Sequence, residues 1–146
     1  MTPRQIELVQ SSFRKVLLVS DTTAELFYGR LFAGNPDIAL LFKRNMNQQR
    51  KEMMYALGAA VAWLKRFESV APSLEALAQR HTSYGVKPEH YDRVGESLLW
   101  SLEQALGESF DEETAEAWHA MYAKISGLMK EAAYRPGRDA AENSSS

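Results

Sequence analysis

From Pro3 to Ala133 apolar residues return every three or four positions, and no stretch alternates with period two for long enough to make a strand. That periodicity confines the chain to an all-α fold. The T-x-x-Q capping box of Thr2 and Gln5, with Pro3 in the tolerated first helical position, predicts a helix from about Pro3 to Val16. A second helix, starting near Asp21, carries Leu26, Phe27, Leu31 and Phe32 and stops at Gly34-Asn35-Pro36. The short apolar piece "DIALLF" leads into "KRNMNQQ", which reads as a loop. From about Asn47 a longer helix sets Met53, Leu57, Ala60, Val61, Leu64 and Phe67 on one stripe. Pro72 and Ser73 mark the next helix start, and Gly85 is its expected C-terminal cap. Another helix runs from about Pro88 to Leu106, with Tyr91, Val94, Leu98 and Leu102 inward and Gly107 as its stop. The last begins near Asp111 and buries Trp118, Met121, Tyr122, Ile125 and Met129. Residues 1–133 then form one domain, and 134–146, "YRPGRDAAENSSS", a disordered tail.

Composition removes several function classes. The 17 basic and 19 acidic residues give a net charge of −2 and are scattered, which is no footprint for nucleic acid. The longest apolar run, Met53 to Leu64, is shorter than the roughly 20 residues that span a bilayer. "MTPRQIELVQ" has no apolar signal-peptide core, so a cytoplasmic protein is expected, with no membrane partner. Cysteine is absent, which rules out a thiolate nucleophile or a Cys-ligated metal.

Of the three histidines, His81 lies at helical spacing with Leu74, Leu77, Ala78 and Tyr84 and should point inward. His90 and His119 stand one step off their helices' apolar stripes and are expected on the solvent side. An inward imidazole can simply be a hydrogen-bonded core residue. A zinc site built by the protein needs three or four ligands, and histidines on divergent faces do not supply them. A haem needs only one imidazole from an all-α scaffold.

The stretches "NPDIALLF", Asn35–Phe42, and "RHTSYGVKPEHYDRVGESLLWSLEQALG", Arg80–Gly107, resemble the single-domain bacterial globins. They are also similar to the haem domain of flavohaemoglobins and, more distantly, to neuroglobin-like globins, over about Thr2 to Met129. The resemblance implies a globin fold, a three-over-three helical sandwich enclosing haem b. By it, His81 is the iron ligand, Phe42 packs on the porphyrin, and Tyr28, Gln49 and Met53 form the pocket across the iron. A one-residue shift in register would exchange Gln49 with Gln48. Tyr91 matches a tyrosine beside the iron-bound histidine. The glutamate that flavohaemoglobins place in the last helix is replaced by Ala133, with Glu131 on another face.

The implied function is reversible oxygen binding at a pentacoordinate iron, for storage, delivery or scavenging, by a monomer or homodimer. The alternative is a nitric oxide dioxygenase served by a separate reductase, since no flavin or nicotinamide domain follows Ala133. A haem-free helical interaction module is the third reading, and the His81, Phe42 and Tyr28 constellation argues against it.

Overall fold

A computed structural model describes residues 1–42, 45–83 and 86–134. The expectations at Gly85 and Tyr84 and for the tail beyond Tyr134 lie outside these residues. Seven α-helices make up the described chain: α1 Pro3–Leu17, α2 Ser20–Gly34, α3 Pro36–Ala39, α4 Met46–Ala62, α5 Phe67–Ser83, α6 Pro88–Leu106 and α7 Glu112–Tyr134. The most extensive helix contacts are α2 with α6, α5 with α7 and α1 with α7, in keeping with the three-over-three helical sandwich expected. Among the described residues no helix is long and apolar enough to cross a membrane.

Local chemistry sets most helix ends. Gln5 N–H donates to Thr2 Oγ1 at 3.1 Å and Thr2 N–H to Gln5 Oε1 at 3.0 Å, closing the capping box that starts α1. Asn45 Oδ1 accepts from Asn47 N–H at 2.9 Å, so α4 begins one residue before the expected Asn47. Asp111 Oδ1 accepts from Thr114 N–H at 2.8 Å at the start of α7. Gly107, with φ +56°, is the one positive-φ residue among those described, and it terminates α6 where the sequence places a stop.

Two boundaries differ from expectation. The apolar stripe of α4 does not run unbroken to Phe67: the helix ends at Ala62, and Leu64 is buried from a one-turn 3-10 segment, Leu64–Arg66. Pro72 does not start the next helix but lies inside α5, which begins at Phe67. The lost backbone hydrogen bond is overridden by packing, because Phe67, Leu74, Leu77 and Ala78 on α5 join Ile125, Leu128, Met129 and Ala132 of α7 in one cluster. Lys124 Nζ also sits 4.6 Å from the centre of the Phe67 ring.

The core has two parts. The larger gathers Val9, Phe13 and Val16 of α1, Phe27, Tyr28 and Leu31 of α2, Met54 and Val61 of α4, Leu98 and Leu102 of α6, and Trp118 and Met121 of α7. Trp118, fully buried, donates from Nε1 to Ser12 Oγ at 2.8 Å, and Ser12 donates in turn to the Leu8 carbonyl, which fixes α7 against α1. The smaller part is built on Leu74, Ala78, Tyr91, Met129, Ala132 and Ala133. Ile125 packs against both.

Helices α6 and α7 touch where a side chain at residue 95 would not fit. A Cβ at Gly95 would press into the Tyr122 ring, and that ring cannot swing aside freely because its hydroxyl donates to the Tyr91 carbonyl. Helix propensity alone would favour Gly95→Ala by about 1 kcal/mol. Overpacking of about 1–3 kcal/mol should win, so thermal unfolding of this variant is expected at a lower Tm than wild type. An unchanged or raised Tm would show that the crossing is loose.

Candidate functional site

Tyr28 is a buried aromatic of α2 with a polar tip, at 5 % exposure. Its ring meets Phe27 at 4.8 Å, Phe32 at 5.6 Å and Phe42 at 5.8 Å between centroids. Phe42 and Phe32 lie 5.2 Å apart, so Phe42, just beyond α3, closes an aromatic corner with α2. A phenol there needs a partner for its oxygen. Gln49, in the first turn and a half of α4, donates from Nε2 to Tyr28 Oη at 3.3 Å. This bond occupies a lone pair of Oη and leaves the Tyr28 proton available to another acceptor.

The two neighbouring glutamines face different ways. Gln48 is exposed and donates to Glu52 Oε1 at 3.2 Å along the outside of α4, while Gln49 is turned inward. Met53, one helical turn beyond Gln49, is half-buried and packs against the core cluster that contains Tyr28. The structure therefore brings Phe42 and Gln49 each into contact with Tyr28, with Met53 bordering the same cluster.

Burial is the main cause that raises the Tyr28 pKa to about 12; the Gln49 hydrogen bond works against it, Glu52 adds to it and Arg50 opposes it. Tyr28 is accordingly an un-ionised hydroxyl, a donor, throughout the neutral range.

His81 lies near the C-terminal end of α5, three residues beyond the buried Ala78, and is itself partly buried. Burial, and after it the Arg80 guanidinium, hold its pKa below the usual histidine value. A neutral imidazole has one nitrogen lone pair to give, and no hydrogen bond to either ring nitrogen is made among the described residues. Tyr91 is buried in the smaller core part with Ala78, Met129 and Ala133, and Lys130 Nζ stands 6.0 Å from its ring centre. Ala133 is 8 % exposed, so a methyl group fills the position where the resemblance would place a carboxylate, and Glu131 faces outward.

His90 is a correction. Expected on the solvent side, it is 6 % exposed, with Nδ1 accepting from Lys87 N–H at 3.0 Å and Nε2 at 3.6 Å from Asp37 Oδ2. The reason is its place at the third position of α6, where a polar side chain folds back on the helix start as in a capping box. His119 is exposed, as expected.

The Globin family model matches residues 25–129, a span that contains Tyr28, Phe42, Gln49, Met53, His81 and Tyr91. A flavohemoprotein of Bordetella bronchiseptica is 37% identical over 107 residues, 70% of this chain and 26% of its own length. One of Xylella fastidiosa is 34% identical over 142 residues, 93% of this chain and 35% of its own. The chain thus spans about a quarter to a third of the length of these curated relatives. Among solved structures, a bacterial globin from Campylobacter jejuni superposes with TM-score 0.80 at 26% identity, covering 90% of this chain and 96% of that one. An engineered carbene transferase from Rhodothermus marinus shares the fold, with TM-score 0.87 at 20% identity over 97% of this chain and 99% of its own.

The raised Tyr28 pKa has a consequence for stability. In the unfolded chain the phenol ionises near 10; in the fold it stays protonated to about 12. Its contribution is complete below the unfolded value and is lost as pH rises through the folded one. Chemical denaturation between pH 9 and 12 should show stability falling over that window, and Tyr28→Phe should flatten the fall. Equal slopes for the two proteins would mean that Tyr28 is not confined as described.

Proposed function

Because the chain belongs to the globin family, we propose that it is a haem protein that binds oxygen reversibly, with His81 as the single protein ligand to the iron of haem b. Storage, delivery or scavenging are the roles that such binding serves. The residues fit the group. His81 is an inward, neutral imidazole whose ring nitrogens are not engaged by the described residues, which is what an iron ligand needs to be. The core falls into two parts, with Phe42, Tyr28 and Met53 on the larger and the turn before His81 on the smaller. Phe42 would offer its face to the porphyrin, and Tyr91 would border the His81 side. Haem, when bound, would supply an iron able to take a diatomic gas.

The observation that carries the reading is the Tyr28–Gln49 hydrogen bond. By accepting from Gln49, Tyr28 is oriented with its own proton to spare, and it is a donor at every pH below about 12. A ligand that accepts hydrogen bonds strongly, as oxygen does and carbon monoxide does not, gains selectively from such a donor. A hydrogen bond to an acceptor bearing charge is worth about 1.5–3 kcal/mol. No histidine stands at Gln49's position to close the iron's second axial site.

A second reading, nitric oxide dioxygenase with a separate reductase, draws support from the 34% and 37% identity to flavohemoproteins. Ala133 weighs against it, since a carboxylate there would be the group able to raise the basicity of the histidine ligand.

The reduced protein should show an intense Soret band that shifts on admitting oxygen and returns when oxygen is removed. A stable but colourless protein that takes up no haem would sink the haem reading. His81→Ala should lose haem retention, and normal haem content in that variant would refute the ligand assignment. Tyr28→Phe should release oxygen at least about tenfold faster, equivalent to about 1.4 kcal/mol, in stopped-flow exchange against carbon monoxide; an unchanged rate would show that Tyr28 does not reach the ligand. Rapid nitric oxide consumption with a competent reductase would favour the second reading over the first.

A further inference from the structure

His90 is a buried polar ring that the oxygen-binding reading does not use. Its Nδ1 accepts the Lys87 backbone N–H at 3.0 Å, which places the ring proton on Nε2. That Nε2 faces Asp37 Oδ2 at 3.6 Å, and the same oxygen accepts from Arg93 Nη1 at 2.7 Å. Two parts of the chain, distant in sequence, meet on this one ring.

On one side lies the connection from α5 to α6. Val86 N–H donates to the His81 carbonyl at 3.1 Å, and the next residue, Lys87, donates to His90. Successive backbone amides therefore tie the end of α5, at His81, to the start of α6. On the other side lies α3, where Asp37 follows Pro36 and the backbone runs directly to Phe42. This helix has a single turn, held by Ile38, 2 % exposed, and by Asn35 Nδ2 donating to the Leu31 carbonyl at 2.9 Å. The Arg93–Asp37 pair is more than a third exposed on both partners and contributes little alone. The buried ring is the part of the joint that cannot be replaced by water.

We propose that His90 is a positioning residue that sets the segment carrying His81 against the segment carrying Phe42. It touches neither the ligand nor the iron. Its effect on binding comes from holding the Val86–Lys87 amides, and with them the carbonyl of His81, while Asp37 holds the approach to Phe42. The proposal rests on the haem reading for its consequence but not for its geometry.

The test uses the full-length protein and three variants: His90→Leu, which keeps bulk and removes the acceptor; His90→Gln, which restores an acceptor; and Asp37→Asn. Amide hydrogen exchange on the haem-free chain reads the joint directly. In His90→Leu the Lys87 and Val86 amides should both exchange up to about tenfold faster, the equivalent of losing one net hydrogen bond, and His90→Gln should recover part of this. In the haem-loaded protein the iron–histidine stretching band, read by resonance Raman on the reduced, ligand-free form, should shift or broaden in His90→Leu. Asp37→Asn should move it the same way by less. If only the Lys87 amide responds, with Val86 and the iron–histidine band as in wild type, His90 merely caps α6 and the proposal is overturned. A chain that takes up no haem would instead end the haem reading, and Val86 exchange would still decide whether the joint exists.

Discussion

A buried phenol oxygen must be hydrogen-bonded, and at Tyr28 that requirement organises the candidate site. The hydroxyl lies inside an aromatic corner of Phe27, Phe32 and Phe42, and its partner is the side chain of Gln49 on another helix. Satisfying Tyr28 therefore fixes the angular setting of α4 relative to α2. With that setting, Gln49 and Met53 turn inward and Gln48 outward, because they differ in helical phase by one residue. The Phe42 ring is trapped by the same corner, so the backbone after α3 is placed without any regular structure of its own.

The histidine side is organised differently. No polar side chain among the described residues competes for the His81 ring, and the turns of α5 before it carry Leu74, Leu77 and Ala78, which pack with Met129, Ala132 and Ala133 of α7. Burial both keeps the imidazole neutral and leaves its lone pair unspent. What orders this side is backbone, through the Val86 amide on the His81 carbonyl and the Lys87 amide on His90. The Tyr28 side is thus held by hydrogen-bonding side chains, the His81 side by backbone amides.

The sequence was most informative where a rule is local. Thr2 with Gln5, Pro88 and Gly107 each act within one helical turn, and the ends of α1 and α6 lie at or within one residue of where those signals put them. Helical phase placed His81, Tyr91 and Trp118 inward. It failed at His90 because phase assumes a single buried stripe, whereas the first turn of α6 is covered on a second side by Asp37 of α3. Pro72 failed for the complementary reason: a local breaker lost to the packing of α5 on α7, which no window of a few residues contains. The choice between Gln48 and Gln49 was also beyond local pattern, since it depends on a hydroxyl 21 residues away in sequence. Family resemblance reached that contact by position; the hydrogen bond supplies its physical reason.

The two sides together bear on binding against turnover. Oxygen that must leave unchanged is best served by a donor whose strength does not vary with pH and by a proximal ligand that does not push electron density toward the iron. Tyr28, un-ionised until about pH 12, meets the first condition. The second bears on Tyr91: Ala133 presents a methyl where the resemblance would place a carboxylate, and Lys130, itself paired with Asp92 at 3.5 Å, stands 6.0 Å from the ring centre. On the proposed haem reading, an alanine methyl cannot draw a proton away from the imidazole, so His81 would coordinate as a neutral ligand rather than an imidazolate-like one. Under the oxygen-binding reading proposed above, a confined donor paired with a histidine that no carboxylate assists would stabilise bound oxygen more than activate it.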